Sequence, residues 1–102
     1  MTREKGAAEV VDFGFSFANF PEVRGGDTIS SATVTGPNGA ALSGIAAGTP
    51  AVLAAARDGV PAGQGVVCRV TGGTAGTAYD LECLATFASG AKRMVRGRVG
   101  VV

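Results

Sequence analysis

Side chains able to do acid, base or metal chemistry are sparse in this sequence. Histidine is absent, which removes the commonest general base near neutral pH and the commonest transition-metal ligand. Cys68 and Cys83 are the only cysteines, and two thiolates do not close a tetrahedral zinc site. The eight carboxylates are scattered along the chain. The pair with suggestive spacing, Asp80 and Glu82, falls on the polar side of an alternating segment and should meet solvent, with no nucleophile beside it. Neither Arg24 to Asp27 nor Arg57 to Gly59 offers the oxygen ligands of a calcium loop. The run Gly72-Gly73-Thr74-Ala75-Gly76-Thr77 has phosphate-loop composition, yet no lysine follows and it opens a strand, not a helix. We therefore expect no enzyme, no cofactor and no metal site.

What chemistry remains is charge recognition. Lys92, Arg93, Arg96 and Arg98 put cations, with no acid among them, into the last predicted strand and the turn before it. Such a row reads either as a solvated edge that resists edge-to-edge aggregation or as a set of side chains docking on acidic groups of a protein partner. Arg3 and Lys5, near the N-terminus, join them as candidate docking cations. Nucleic acid is disfavoured, because no stacking aromatics accompany the cluster and the formal net charge is only +1. No apolar stretch approaches the roughly 20 residues of a membrane-spanning helix, and MTREKGAAEVV lacks the apolar core of a secretory signal. The expectation is a chain made in the cytosol, with no membrane partner. There, Cys68 and Cys83 read as buried small apolar side chains, a disulfide being the alternative, the two meeting across a direct turn or across the core.

The elements that position these groups are strands. A length of 102 residues without a composition break fits one core. Seventeen glycines, few aromatics and many Val, Thr, Ala and Ser favour short strands joined by tight turns. Residues 1–8 carry mixed charge without periodicity and read as a flexible arm, leaving 9–102 as the folded domain. Val11, Phe13, Phe15 and Phe17 alternate against Asp12, Gly14 and Ser16, the cleanest period-two signal present, and mark a core strand. Ala18 to Val23 breaks the pattern around Pro21 and reads as an edge or loop. Thr28 to Thr35 is a strand whose apolar parity switches, which predicts a bulge at Ser30 or Ser31. Asn38-Gly39 predicts a turn at positive φ. Ala40 to Ala47 and Pro50 to Ala56 are weaker strands, although Ala51 to Arg57 has helical composition; Arg57 to Gly63 is a loop. Gly65 to Thr71 is a strand with Val66, Cys68 and Val70 inward. Tyr79, Leu81, Cys83, Ala85 and Phe87 share one face of the next strand, and Val95, Val99 and Val101 one face of the last. About seven strands at this spacing predict an all-β fold, a single immunoglobulin-like sandwich, with Phe13, Phe15, Phe17, Tyr79, Leu81 and Cys83 defining it.

Two resemblances sharpen this reading. Gly76-Thr77-Ala78-Tyr79, leading into an alternating strand, resembles the start of strand F in immunoglobulin-like sandwiches, where a tyrosine bonds back to an upstream backbone group. The run Gly26-Asp27-Thr28-Ile29-Ser30-Ser31-Ala32-Thr33-Val34, the middle segment Gly48-Thr49-Pro50-Ala51 and the stretch Val70 to Tyr79 resemble small immunoglobulin-like structural proteins of tailed bacteriophages. That resemblance covers most of the chain from about Asp12 onward. It implies a virion protein, foremost a capsid decoration or cement protein. Such a protein binds the major capsid protein on the capsid exterior as a homo-oligomer, dimer or trimer, and is assembled in the host cytoplasm. The alternatives are a tail, neck or fibre component of the same fold, or a host- or carbohydrate-binding module. No catalytic residues carry over.

Overall fold

The computed structural model describes residues 2–57 and 59–102. Met1 of the expected arm and Asp58 of the expected 57–63 loop lie outside the described residues. The strands are β1 (Thr2–Lys5), β2 (Val11–Ser16), β3 (Ile29–Thr35), β4 (Ile45–Ala47), β5 (Ala51–Val52), β6 (Gly65–Gly72), β7 (Ala78–Phe87) and β8 (Lys92–Val101), with one helical turn, α1 (Pro21–Arg24). They form a long sheet in the order β1-β8-β7-β3 and a short sheet in the order β2-β6-β4, with β5 also pairing β6. The fold is an all-β sandwich, as its alternation predicted.

Alternation sets the core. Phe13 and Phe15 of β2 lie opposite Cys68 and Val66 of β6 in an antiparallel register. From the other sheet, Leu81, Cys83, Ala85 and Phe87 of β7 and Val99 of β8 complete the buried cluster. Each fully buried Phe or Leu contributes about 1.5–3 kcal/mol relative to exposure, so the interleaved faces supply most of the driving force. Phe13 and Phe15 stack tilted at 4.9 Å between centroids, and Phe17 meets Phe87 edge-on at 6.2 Å, both within the favoured range for aromatic pairs. Above Phe13 the packing requires a glycine: a Cβ on Gly97 of β8 would lie 2.5 Å from Phe13 Cζ.

Local predictions fare unevenly. The bulge in β3 is present, its register shifting between Ile29 and Ser31. Asn38 and Gly39 take φ of 59° and 76° in a 3₁₀ turn at Pro37–Gly39. That turn ends β3 and sends the chain across to the short sheet. The Tyr79 hydroxyl accepts a hydrogen bond from the Thr74 backbone N–H at 2.9 Å, the upstream bond expected of a tyrosine in this place.

Other expectations need correcting. The supposed edge or loop at Ala18 to Val23 contains the α1 turn, started by Pro21 at a position where proline's missing N–H costs nothing. The weak strands shrink to Ile45–Ala47 and Ala51–Val52. The N-terminal segment is not an arm: β1 pairs in parallel with β8, Thr2 opposite Arg98 and Lys5 opposite Val101. The first reading of Cys68 and Cys83, buried small apolar side chains, stands: they sit in different sheets as free buried thiols, and the alternative disulfide is not formed. Burial pushes their pKa values up, to about 11 for Cys68 and about 12 for Cys83, which keeps both protonated and unreactive.

Candidate protein-docking site

The antiparallel register of β7 and β8 places their outward side chains in facing pairs. Asp80 stands opposite Arg98, Glu82 opposite Arg96, Leu84 opposite Met94 and Thr86 opposite Lys92. Arg98 Nε donates to Asp80 Oδ1 at 2.8 Å, and Arg96 Nε donates to Glu82 Oε2 at 3.1 Å. Two of the cations predicted without acids, Arg96 and Arg98, are therefore paired with acids on the neighbouring strand. Glu82 was expected to face solvent beside Asp80, yet it is only 6% exposed. The Arg96 guanidinium above all, then the backbone N–H groups of Asn38 and Gly39, hold its carboxyl below the usual range against the opposing effect of desolvation. Asp80 is likewise held low, by Arg98.

Beside these ion pairs, Leu84 and Met94 form an adjoining apolar pair, 39% and 41% exposed. An apolar spot with Met at its centre and arginines at its rim has the anatomy of a protein interface, whose apolar centre is ringed by polar groups. The outer face of the long sheet is thus one candidate docking surface, presenting Lys92, Arg96 and Arg98 together.

The remaining predicted docking cations go elsewhere. Arg93 points the other way on β8, donating from Nε and Nη2 to Glu22 Oε1 at 3.0 and 2.6 Å, with its guanidinium 5.4 Å from the Phe20 ring centroid. It clamps α1 to the body. Lys5 is 1% exposed. Its ammonium donates to the carbonyls of Gly6 at 2.6 Å, Gly72 at 2.7 Å and Ala7 at 3.4 Å. All three ammonium donors are used, so Lys5 staples β1 to the end of β6 and is withdrawn from any partner.

Arg3 lies on the same side of β1 as Lys5, two residues away, and lines a cleft at the margin of the short sheet. Sequence reasoning missed the residues that meet it there. Arg57 Nη2 lies 3.0 Å from Asp12 Oδ2, and Arg69 Nε 3.5 Å from Asp12 Oδ1. Arg57 above all, and then Arg69, hold the Asp12 carboxyl below its usual value. Asp12 is legible as a polar-face residue of β2. Its partners depend on the β2–β6 register, which puts Arg69 directly opposite, and on a loop that no local pattern places.

Among the described residues, no cluster of three or more metal-ligating side chains occurs, and no helix is long and apolar enough to cross a membrane. Over residues 5–99, nearly the whole sandwich, the chain matches the model of a family described as podophage GP4 fiber-tail adaptor protein gp77. No curated protein matches it.

Proposed function

The chain belongs to the podophage fiber-tail adaptor family, and from that premise we propose that it joins fibre to tail in the virion as a non-catalytic adaptor. It is a bacteriophage structural protein, the class that the sequence resemblance implied. Within that class the family favours the tail-associated alternative over capsid decoration on the major capsid protein. The observation that carries the proposal is the match itself, which runs through both sheets and leaves out only the first four and last three residues.

The geometry supports a role built from protein contacts. A buried, edge-matched core with unreactive thiols gives a rigid body. The outer face of the long sheet offers an apolar pair, Leu84 and Met94, beside oriented ion pairs. In this reading that face meets a tail or fibre protein, the apolar pair giving affinity and the arginines giving orientation.

The test is cryo-electron microscopy of particles from the phage that encodes this chain. Density where fibres leave the tail is the expected result. Density between capsomers at lattice copy number would return the protein to the decoration class, and absence from particles would remove it from the virion. A Met94→Glu phage should assemble heads and tails but lose fibres from the purified particle.

A further inference from the structure

The outer face of the long sheet is arranged so that it complements itself. Its outward residues on β7 include Asp80, Leu84 and Thr86, and opposite them on β8 stand Arg98, Met94 and Lys92. Asp80 and Arg98 keep 50% and 59% of their side chains exposed. Their mutual hydrogen bonds, 2.8 Å from Nε to Oδ1 and 3.5 Å from Nη2 to Oδ2, leave guanidinium donors and carboxylate lone pairs over for further contacts. Glu82 differs. Its carboxylate is buried against the Pro37–Gly39 turn, accepts from the Gly39 N–H at 3.3 Å and balances Arg96.

Two copies laid face to face about a two-fold axis have that axis in the plane between them, and every contact is made twice. An axis running along the seam between β7 and β8 carries β7 of one copy over β8 of the other. Asp80 then meets Arg98, Leu84 meets Met94 and Thr86 meets Lys92, following the pairing already present within each sheet. The strands stay within about 30° of parallel, the usual angle for aligned sheets. An axis across the strands through Leu84 and Met94 would instead set Lys92 over Arg96, cation on cation. Strands of 4, 10, 10 and 7 residues, at about 3.3 Å per residue and about 4.8 Å apart, make a face of about 500 Å². Two copies then cover about 1,000 Å², the small end of specific interfaces.

We infer that the outer face of the long sheet docks a second copy of this chain, with the two-fold axis along the seam between β7 and β8. Leu84 and Met94 of both copies form the apolar centre, and the two Asp80–Arg98 pairs join into a ring of alternating charge beside it. A partner surface of one charge sign would be repelled by half of each ion pair, whereas a second copy brings both signs in the required order. The inference rests on the reading of this face as a protein contact, and it names the tail protein that meets the face as the chain itself. An interface of this size gives an exchangeable dimer with a Kd on the order of micromolar.

The experiment is sedimentation equilibrium of the full chain over micromolar to millimolar concentrations, where a monomer–dimer equilibrium is expected. Asp80→Arg and Arg98→Asp should each weaken self-association by about tenfold or more, because each sets like charges over one another. Mixed in equal amounts, the two variants should dimerise with each other, since one brings only cations to the positions where the other brings only carboxylates. That recovery also shows both variants to be folded, and urea unfolding of each alone checks the same point. A parent chain that stays monomeric at millimolar concentration, single variants that associate as the parent does, or folded variants whose mixture shows no recovery would each overturn the inference. Particle microscopy answers separately: a monomer in solution leaves the tail placement standing, and a dimer of a protein missing from particles leaves only the self-association.

Discussion

Gly97 and Gly14 are both glycines inside strands, and they mean opposite things. On β8, Gly97 turns toward the core, where a single added carbon would strike the Phe13 ring. On β2, Gly14 turns away from it, where an added side chain would meet open space. The charges beside them divide in the same way. On the long sheet, Asp80 and Glu82 each face one arginine across the strand pair. Beside the short sheet, Arg57 and Arg69 both reach Asp12, and Arg3 of β1 lines the same cleft. One face is covered by its own cross-strand pairs, and the other keeps open space over Gly14. Residue type alone does not separate the two, because each is a glycine inside a strand.

The largest expected effect breaks the comparison if it fails. Gly97→Val should cost about 3 kcal/mol or more, at the upper end for overpacking, because both Phe13 and Phe15 must move. Gly14→Val should change stability by no more than about 0.5 kcal/mol, as exposed substitutions do. Urea unfolding of the two variants reads this directly, and equal destabilisation would collapse the distinction.

A smaller effect is expected at the staple. Lys5→Met keeps the length of the side chain but leaves the Gly6 and Gly72 carbonyls without their donor. The cost should be about 1–3 kcal/mol, with β1 amides exchanging hydrogen faster than those of β7. Uniform exchange across both strands would show that the staple is not local.

The smallest effect is the acid response of the paired face. Glu82 and Asp80 titrate below their ordinary values of 4.5 and 3.8. The stability they confer is therefore fully present above those ordinary values and is lost as pH falls through the lowered ones. Melting temperature should stay level from neutral pH down to about 5 and decline beneath about 4. Arg96→Gln should start lower at neutral pH and show a shallower decline; an unchanged profile would mean the pair contributes nothing.

How much of this could be read beforehand follows from the range of the interactions. The core strands β2, β6, β7 and β8 announce themselves by alternation, because burial of one face is a local pattern. The β3 bulge and Tyr79 are legible for the same reason: a parity switch and a tyrosine at a strand start are local. β1 was read as an arm because a four-residue strand of mixed charge has no pattern of its own, and its partner lies at the far end of the chain. The cation row on β8 is legible, but the ion pairs of Arg96 and Arg98 are not, since they depend on which residue of β7 stands opposite. The Asp12, Arg57 and Arg69 cluster draws on three segments and left only one trace, an acid on the polar side of β2.

The parallel pairing of β1 with β8 also decides how the domain responds to pulling. Tension entering at Thr2 and leaving at Val101 runs along both strands in opposite directions. The bonds joining them are then loaded together in shear instead of opening one after another like a zip. The Lys5 ammonium, tied to the Gly72 carbonyl at 2.7 Å, adds a cross-link at the end of that seam. A body built this way transmits force between its two ends while its core stays packed.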